Sequence, residues 1–399
     1  MKYIVVLGDG MADYPIDELN EQTPLEYANT PMMDELAQKS EIGQVHTIPA
    51  GMSPGSDTAN LSVLGYDPKK YYTGRSPLEA LSIGVPMKDT DIAIRCNIVT
   101  VSDEETEYKD KKMIDHSAGE ISTEDADVLI RAVQEAFGNE MFQFYTGTSY
   151  RHLLIWDKGN VVELTPPHDI LTKNIGNYLP KEKMLAEMME KSYEILNNHP
   201  INVAREKAGL HKANSLWFWG AGTKPALDDF TEKTGKRGVM ISAVDLLKGI
   251  GVGAGLHNII VEGADGTLET NYEGKAQAAV DALTKDGYDF AYIHVEAPDE
   301  MGHQGSVERK IKSIEYLDQR VIRVVKEGMD ASGEDYRMLV LPDHPTPIVL
   351  RTHSSDPVPY MLFDSTNHGS RMWHYNEREA AASGIDMPSG AALMEYFLD

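Results

Sequence analysis

Short apolar runs rich in β-branched residues recur at positions 3–7, 291–295, 338–341 and 360–363, each closed by polar residues, glycine or proline. Uninterrupted runs of this length mark strands buried on both faces, whereas a half-exposed strand would alternate apolar with polar residues. Between them helices are predicted over 58–64, 274–283 and 307–326, the last with apolar residues near helical spacing. Strand, loop and helix in alternation predict an α/β fold with a doubly wound, mostly parallel sheet. Ligands of such a sheet bind beyond the C-terminal ends of its strands.

The middle of the chain has a different texture. Strands are predicted at 92–101, 151–156, 161–165 and 215–219, a helix at 122–137 with Ser122 as its N-cap, and a second helical region over 181–207. None of these strand ends carries a set of carboxylates and histidines like those outside it. At 399 residues the chain exceeds the size at which one hydrophobic core stops growing. The expected layout is a core domain from 1–88 and 225–399, with a second α/β domain inserted at 89–224.

Composition narrows the function. Sixty-three acidic residues against 37 basic ones give a net charge of −26, which repels nucleic-acid backbones and anionic membranes. An anionic substrate therefore needs local cations. With Cys96 alone, no disulfide can form within the chain, as suits a reducing compartment. Residues 3–7 are too short for a signal sequence or a membrane span and read as the first strand of a cytoplasmic protein.

Metal-binding side chains fall at or just past the predicted strand ends: Asp9 in Gly8-Asp9-Gly10, Asp299 with His303 four residues on, Asp343-His344, and His353 on a proline-rich loop. Flanking glycines let backbone and ligand approach Asp9 closely, and a four-residue spacing lets Asp299 and His303 face one ion. Carboxylates mixed with imidazoles suit Mn²⁺ or Zn²⁺, with Co²⁺ or Mg²⁺ as alternatives, better than Ca²⁺ with its all-oxygen sites. We divide them as Asp299, His303 and His353 on one ion and Asp9, Asp343 and His344 on another, both open to exogenous ligands as catalytic metals are. Ser56, in Pro54-Gly55-Ser56-Asp57-Thr58 just before a predicted helix, is either an N-cap or a metal-ligated nucleophile that attacks phosphorus. Ser53 is its rival in the same loop. The chain has no Gly-x-x-x-x-Gly-Lys-Ser/Thr loop, and the glycines of 249–255 read as a tight turn.

Taken together these segments resemble the cofactor-independent phosphoglycerate mutases of archaeal type, in the alkaline phosphatase superfamily. The matching stretches run through Gly8-Asp9-Gly10-Met11-Ala12-Asp13, Gly55-Ser56-Asp57-Thr58-Ala59-Asn60-Leu61, Thr73-Gly74-Arg75-Ser76-Pro77-Leu78-Glu79-Ala80, Ile241-Ser242-Ala243-Val244-Asp245-Leu246, Asn271-Tyr272-Glu273-Gly274-Lys275-Ala276, Asp299 to His303, Asp343-His344 and His353. The resemblance implies a phosphatase-like core with an inserted substrate-binding domain, two Mn²⁺-type ions and a phosphoserine at Ser56. It also implies interconversion of 3-phosphoglycerate and 2-phosphoglycerate without 2,3-bisphosphoglycerate. Residues carried over for substrate binding are Lys275 in the core and Asp115, Ser117, Gly119 and Arg151-His152 in the insert. Asp115 or His152 would shuttle the substrate's hydroxyl proton.

One departure bears on the substrate. Where these mutases show Arg-Gly-Ala-Gly, this chain reads Trp217-Phe218-Trp219-Gly220-Ala221-Gly222, with Trp219 in place of the cation. An aromatic residue there suits a different ligand, and a branch of the family is proposed to be homoserine kinase. Homoserine phosphotransfer through the same serine and metals is therefore the alternative. In a third reading Trp217 and Trp219 are core residues of an alternating strand.

Overall fold

The computed structural model describes residues 1–368 and 373–399. They fall into two compact units, Met1–Tyr72 with Ala226–Asp399, and Thr73–Pro225.

The first unit is built on an eight-stranded sheet. Its order is Asp386–Met387, Ser40–Val45, Val358–Asp364, Tyr336–Leu341, Lys2–Gly8, Phe290–Val295, Gly238–Ile241 and His257–Asn258. Lys2–Gly8 lies at its centre, parallel to both Phe290–Val295 and Tyr336–Leu341, and Gly238–Ile241 continues in the same sense. Ile4, Val5, Val6 and Leu7 are fully buried, so both faces of the central strand are covered, as the unbroken apolar run requires. Val358–Asp364 runs antiparallel to Tyr336–Leu341 and pairs antiparallel with Ser40–Val45. The fold class is the expected mixed α/β with a mostly parallel sheet.

Helix Tyr272–Thr284 contains the whole of the predicted 274–283 helix. The predicted helix at 307–326 is Val307–Tyr316, a π-helical segment Leu317–Ile322, and Arg323–Ser332 in continuous succession. The π segment carries buried Asp318, whose carboxylate accepts the Met33 and Met32 N–H groups at 2.6 and 3.2 Å. It thereby caps helix Pro31–Ala37, whose own N-cap residue Thr30 makes no side-chain cap. The glycines at 249–255 lie mostly within helix Asp245–Gly253, not in a tight turn. A Cβ on Gly251 would come 2.6 Å from Asn258 Oδ1, so close packing explains that glycine.

The second unit holds a five-stranded antiparallel sheet centred on Asp91–Val101, which pairs with Arg151–Asp157, Ser215–Thr223 and Met113–Asp115. Residues 73–88 cluster with this unit, not with the first, because helix Arg75–Ser82 packs on Asp91–Val101 and Ser215–Thr223. Ser122 caps helix Thr123–Phe137 through the Asp125 N–H at 3.2 Å. The helical region at 181–207 is two helices, Lys183–Leu196 and Pro200–Lys207, broken where Pro200 starts the second. Residues 161–165 form no strand, although Val162 and Leu164 pack on the core and the Thr165 carbonyl accepts the Trp217 indole N–H at 2.8 Å. Alternation without a neighbouring strand leaves that segment extended but unladdered. Among the described residues no helix is long and apolar enough to cross a membrane.

Candidate active site

In the first unit, every metal-binding side chain singled out from the sequence converges at the C-terminal ends of the parallel strands. Asp9 directly follows Lys2–Gly8, and Asp343-His344 follow Tyr336–Leu341. Asp299 and His303 lie one turn apart on helix Ala297–Gln304, which opens just after Phe290–Val295. Gly10 has φ 62, and a Cβ there would come 2.8 Å from a carboxylate oxygen of Asp299, so only glycine fits between the ligand loops.

The Asp299 carboxylate meets His303 Nε2 at 3.3 Å and His353 Nε2 at 3.1 Å, and those two nitrogens are 3.0 Å apart. His344 Nε2 lies 3.4 Å from both Asp9 and Asp343 and 3.0 Å from the Ser56 hydroxyl. Ser56 is the first residue of helix Ser56–Val63, whose N-cap is Gly55 and not the serine, and its oxygen meets His344 of the cluster. Asn60, one turn on, donates to the Ser56 carbonyl at 2.8 Å and to Asp343 at 2.9 Å, and accepts the buried Tyr292 hydroxyl at 2.6 Å. The close sets that the geometry shows are grouped differently from the expected division. Asp299, His344 and His353 can present one atom each within 4.8 Å of one another, as can Asp9, His294 and Asp343.

Backbone carbonyls fix three of the imidazoles. The Nδ1 atoms of His303, His344 and His353 lie 2.9, 3.1 and 2.8 Å from the carbonyls of Arg351, Pro345 and Pro54. A carbonyl only accepts, so each Nδ1 carries a hydrogen, and Nε2 is the ring atom that faces the cluster and could take an ion. This is the usual arrangement of metal-ligating histidine.

Burial, then the neighbouring Asp343 and Asp299 carboxylates, hold the Asp9 carboxyl well above its ordinary range. Asp299 goes the other way: burial raises it, but contact with His303 and His353 more than offsets this and keeps it well below. The Asp299 contact lifts His303 to about 9, while burial lowers His344. Asp9 Oδ1 is buried and has no hydrogen-bond partner. An orphaned carboxylate oxygen amid three carboxylates and inward-facing imidazole Nε2 atoms fits a site for divalent cations with mixed nitrogen and oxygen ligands.

Sequence reasoning missed His294, Asn60, Thr346 and Lys310. His294 is fully buried, with Nε2 2.8 Å from Asp9 Oδ2, and burial lowers it to about 4. The Thr346 hydroxyl donates to Asp299 at 2.5 Å. Lys310, also fully buried, donates to Asp13 at 2.9 Å and to the carbonyls of Thr346 and Ala12 at 2.9 and 3.2 Å, tying the two ligand loops together. Lys275 is fully buried too. Its ammonium donates to the His294 carbonyl at 3.0 Å, and burial lowers it to about 8.

In the second unit, Trp219 lies on strand Ser215–Thr223 opposite Arg95, whose guanidinium stacks 4.4 Å from its ring. The indole N–H donates to Asn97 at 3.0 Å, and His168 packs edge-on against the ring. Trp217 is a core residue, whereas Trp219 is only half-buried. Arg95 is buried; burial, partly offset by Glu79 and aided by Arg75 and Arg151, lowers it to about 10. Arg151 is exposed, stacked on Tyr150.

Asp115, Ser117 and Gly119 are brought together as a self-contained loop. Asp115 accepts the Ser117 N–H and hydroxyl at 2.8 Å each, the Gly119 N–H at 2.7 Å and His211 at 2.8 Å. Burial raises this carboxyl, but those donors outweigh it and bring it to about 2. The geometry thus makes Asp115 an ionised loop anchor and occupies the donors of Ser117 and Gly119. His152 is buried, accepts the Gly147 N–H at 3.1 Å, and is lowered by burial to about 3. Neither group is poised to exchange a proton near neutral pH.

A family profile described as 2,3-bisphosphoglycerate-independent phosphoglycerate mutase matches residues 37–202. The chain is 48% identical over 404 residues to a probable enzyme of that name from Geobacter sulfurreducens, covering 100% of both chains. It is 47% identical over 389 residues to one from Methanosarcina barkeri, covering 96% of both. Among solved structures it is similar to the PH0037 protein of Pyrococcus horikoshii, with TM-score 0.81, 32% identity and coverage of 100% of this chain and 96% of that one. It is also similar to the cofactor-independent phosphoglycerate mutase of Thermoplasma acidophilum, with TM-score 0.68, 25% identity and coverage of 100% and 99%.

Proposed function

The chain belongs to the 2,3-bisphosphoglycerate-independent phosphoglycerate mutases, and from that premise we propose that it interconverts 3-phosphoglycerate and 2-phosphoglycerate through a phosphoserine at Ser56. The observation that carries the proposal is the Ser56 hydroxyl 3.0 Å from His344 Nε2, within a buried set of carboxylates and imidazoles.

Asp299, His303 and His353 would hold one divalent ion, and Asp9, Ser56, Asp343 and His344 the other, with Mn²⁺ the ion that best suits these donors. Bound there, the ions would acidify the serine hydroxyl and neutralise charge on the phosphoryl group. Ser56 supplies the nucleophilic oxygen, and its place at a helix start sets it beside backbone N–H groups that favour an anion. Asn60 holds that helix start and Asp343 in fixed relation. In the second unit, exposed Arg151 is the proposed cationic element for an anionic group of the substrate. Arg95 sets a guanidinium against Trp219 from the facing strand and pairs with Glu79 at 3.2 Å.

The test is a coupled assay with 3-phosphoglycerate, added Mn²⁺ and no 2,3-bisphosphoglycerate. Turnover is expected in the parent chain and absent in Ser56→Ala, with phosphate on Ser56 by mass spectrometry after rapid acid quench. No turnover with any of Mn²⁺, Zn²⁺, Co²⁺ or Mg²⁺ would sink the reading, and phosphorylation of homoserine by ATP would replace it.

A further inference from the structure

His294 differs from the other histidines of the cluster in what it meets at each ring nitrogen. His303, His344 and His353 place Nδ1 on backbone carbonyls, whereas His294 Nδ1 meets the Ser242 hydroxyl at 3.1 Å. That hydroxyl already accepts the Val244 N–H at 3.0 Å, so its own hydrogen is available to donate. At the other side of the ring, Nε2 faces Asp9 Oδ2 at 2.8 Å, and as a metal ligand Asp9 is a carboxylate, which only accepts. The consistent assignment runs from the Val244 N–H to Ser242, from the Ser242 O–H to His294 Nδ1, and from His294 Nε2–H to Asp9 Oδ2. It leaves His294 without a lone pair facing the cluster and Asp9 with one uncommitted oxygen, Oδ1, which is the orphaned atom. The ring is held in place: its side chain is fully buried in strand Phe290–Val295, and its carbonyl accepts from Lys275 at 3.0 Å.

We propose that His294 is a positioning residue and not a metal ligand: oriented by Ser242, it pins one oxygen of Asp9 and directs the other at the metal. The proposal rests on the two-metal reading above, and assigns a role to Ser242 within the Ile241-Ser242-Ala243 motif that the ligand set itself leaves without one. It decides between the two ligand groupings, because His294 drops out of the set containing Asp9 and Asp343 and frees His344 to complete it.

The test uses the full chain with ¹⁵N-labelled histidine, by imidazole NMR of the metal-free and Zn²⁺-loaded protein, with His294→Gln to assign the resonances. The expected result is His294 protonated at Nε2 and bare at Nδ1 in both states, while His303, His344 and His353 are protonated at Nδ1 and shift at Nε2 on Zn²⁺ addition. A metal-bound Nε2 on His294, or a hydrogen on its Nδ1 in the metal-free protein, would overturn the proposal. If His294→Gln does not fold, the spectrum of Ser242→Ala assigns the same resonance. In Ser242→Ala the stoichiometry of bound Mn²⁺ should stay the same while the affinity of one ion falls roughly 10- to 100-fold; unchanged affinity would overturn the part given to Ser242. Failure of the parent chain to bind any metal would sink the two-metal reading instead, and the metal-free tautomer would still decide the case of His294.

Discussion

Replacing Lys310 by methionine removes one ammonium from the interior and leaves a stem of similar volume, so the change tests the charge and not the packing. Lys310 and the Asp13 side chain are 0% and 1% exposed, and their contact is 2.9 Å. Breaking such a buried pair typically costs about 3–5 kcal/mol, because the remaining charge is stranded. Asp13 keeps some compensation from the Tyr14 N–H at 2.7 Å and the Ile348 N–H at 3.1 Å, which places the loss at the low end. The Thr346 carbonyl loses its donor at about 1 kcal/mol, whereas the Ala12 carbonyl keeps the Thr346 N–H at 3.2 Å. The sum is about 4 kcal/mol, or roughly a thousandfold in the opening equilibrium. Amide hydrogen exchange of the central strands Lys2–Gly8 and Tyr336–Leu341 reads this within the first unit alone. In Lys310→Met their protection should fall by about three orders of magnitude, and adding Asp13→Asn should restore part of it by removing the stranded charge. A fall of less than about tenfold, or a double variant worse than the sum of its parts, would refute the argument that this ammonium ties the ligand loops together.

Other consequences are open to measurement. Glu377, raised by burial to about 7, binds its proton more tightly in the folded than in the unfolded chain. Its contribution is therefore complete below about pH 4.5 and is lost as pH rises through 7, by at most about 3 kcal/mol and less for the solvent reaching this half-buried residue. Urea unfolding from pH 5 to 8 should show the decline, and Glu377→Gln should flatten it. Trp219→Arg would set a second guanidinium beside buried Arg95 and remove a cation–π contact; a loss of about 2 kcal/mol or more in urea unfolding is expected, partly recovered by Arg95→Gln. Asp115→Asn should raise KM through its loosened loop while leaving the pH profile of kcat unchanged. Loss of one limb of that profile would make Asp115 the proton shuttle after all.

The ligands were legible because they interrupt the chain where apolar strands end, and a carboxylate or imidazole there has few structural uses. His294 was hidden by the opposite circumstance. Set between Ile293 and Val295 inside a buried strand, it reads as one polar lapse in an apolar run. Lys310 was hidden by its helix, where a lysine reads as solvated until the facing loops are known to place three acceptors around it. The start of the second unit was displaced because no change of composition marks residue 73; only the packing of helix Arg75–Ser82 assigns it. Segment 161–165 shows that alternation records burial on one face and says nothing about a hydrogen-bonding neighbour. The break at Pro200 was missed when 181–207 was read as one helical region, although proline starts helices more readily than it continues them.

The carbonyl anchors of His303, His344 and His353 also bear on how this site tolerates mutation. A main-chain carbonyl is supplied by whichever amino acid occupies the position, so changing the side chain at 54, 345 or 351 removes no anchor so long as the backbone keeps its path. His294 has no carbonyl at Nδ1 and leans on a side chain, the Ser242 hydroxyl. Genetic drift can therefore pass through the surroundings of three histidines with little effect on their tautomers. Position 242 is where a single codon change would reset the field felt by Asp9.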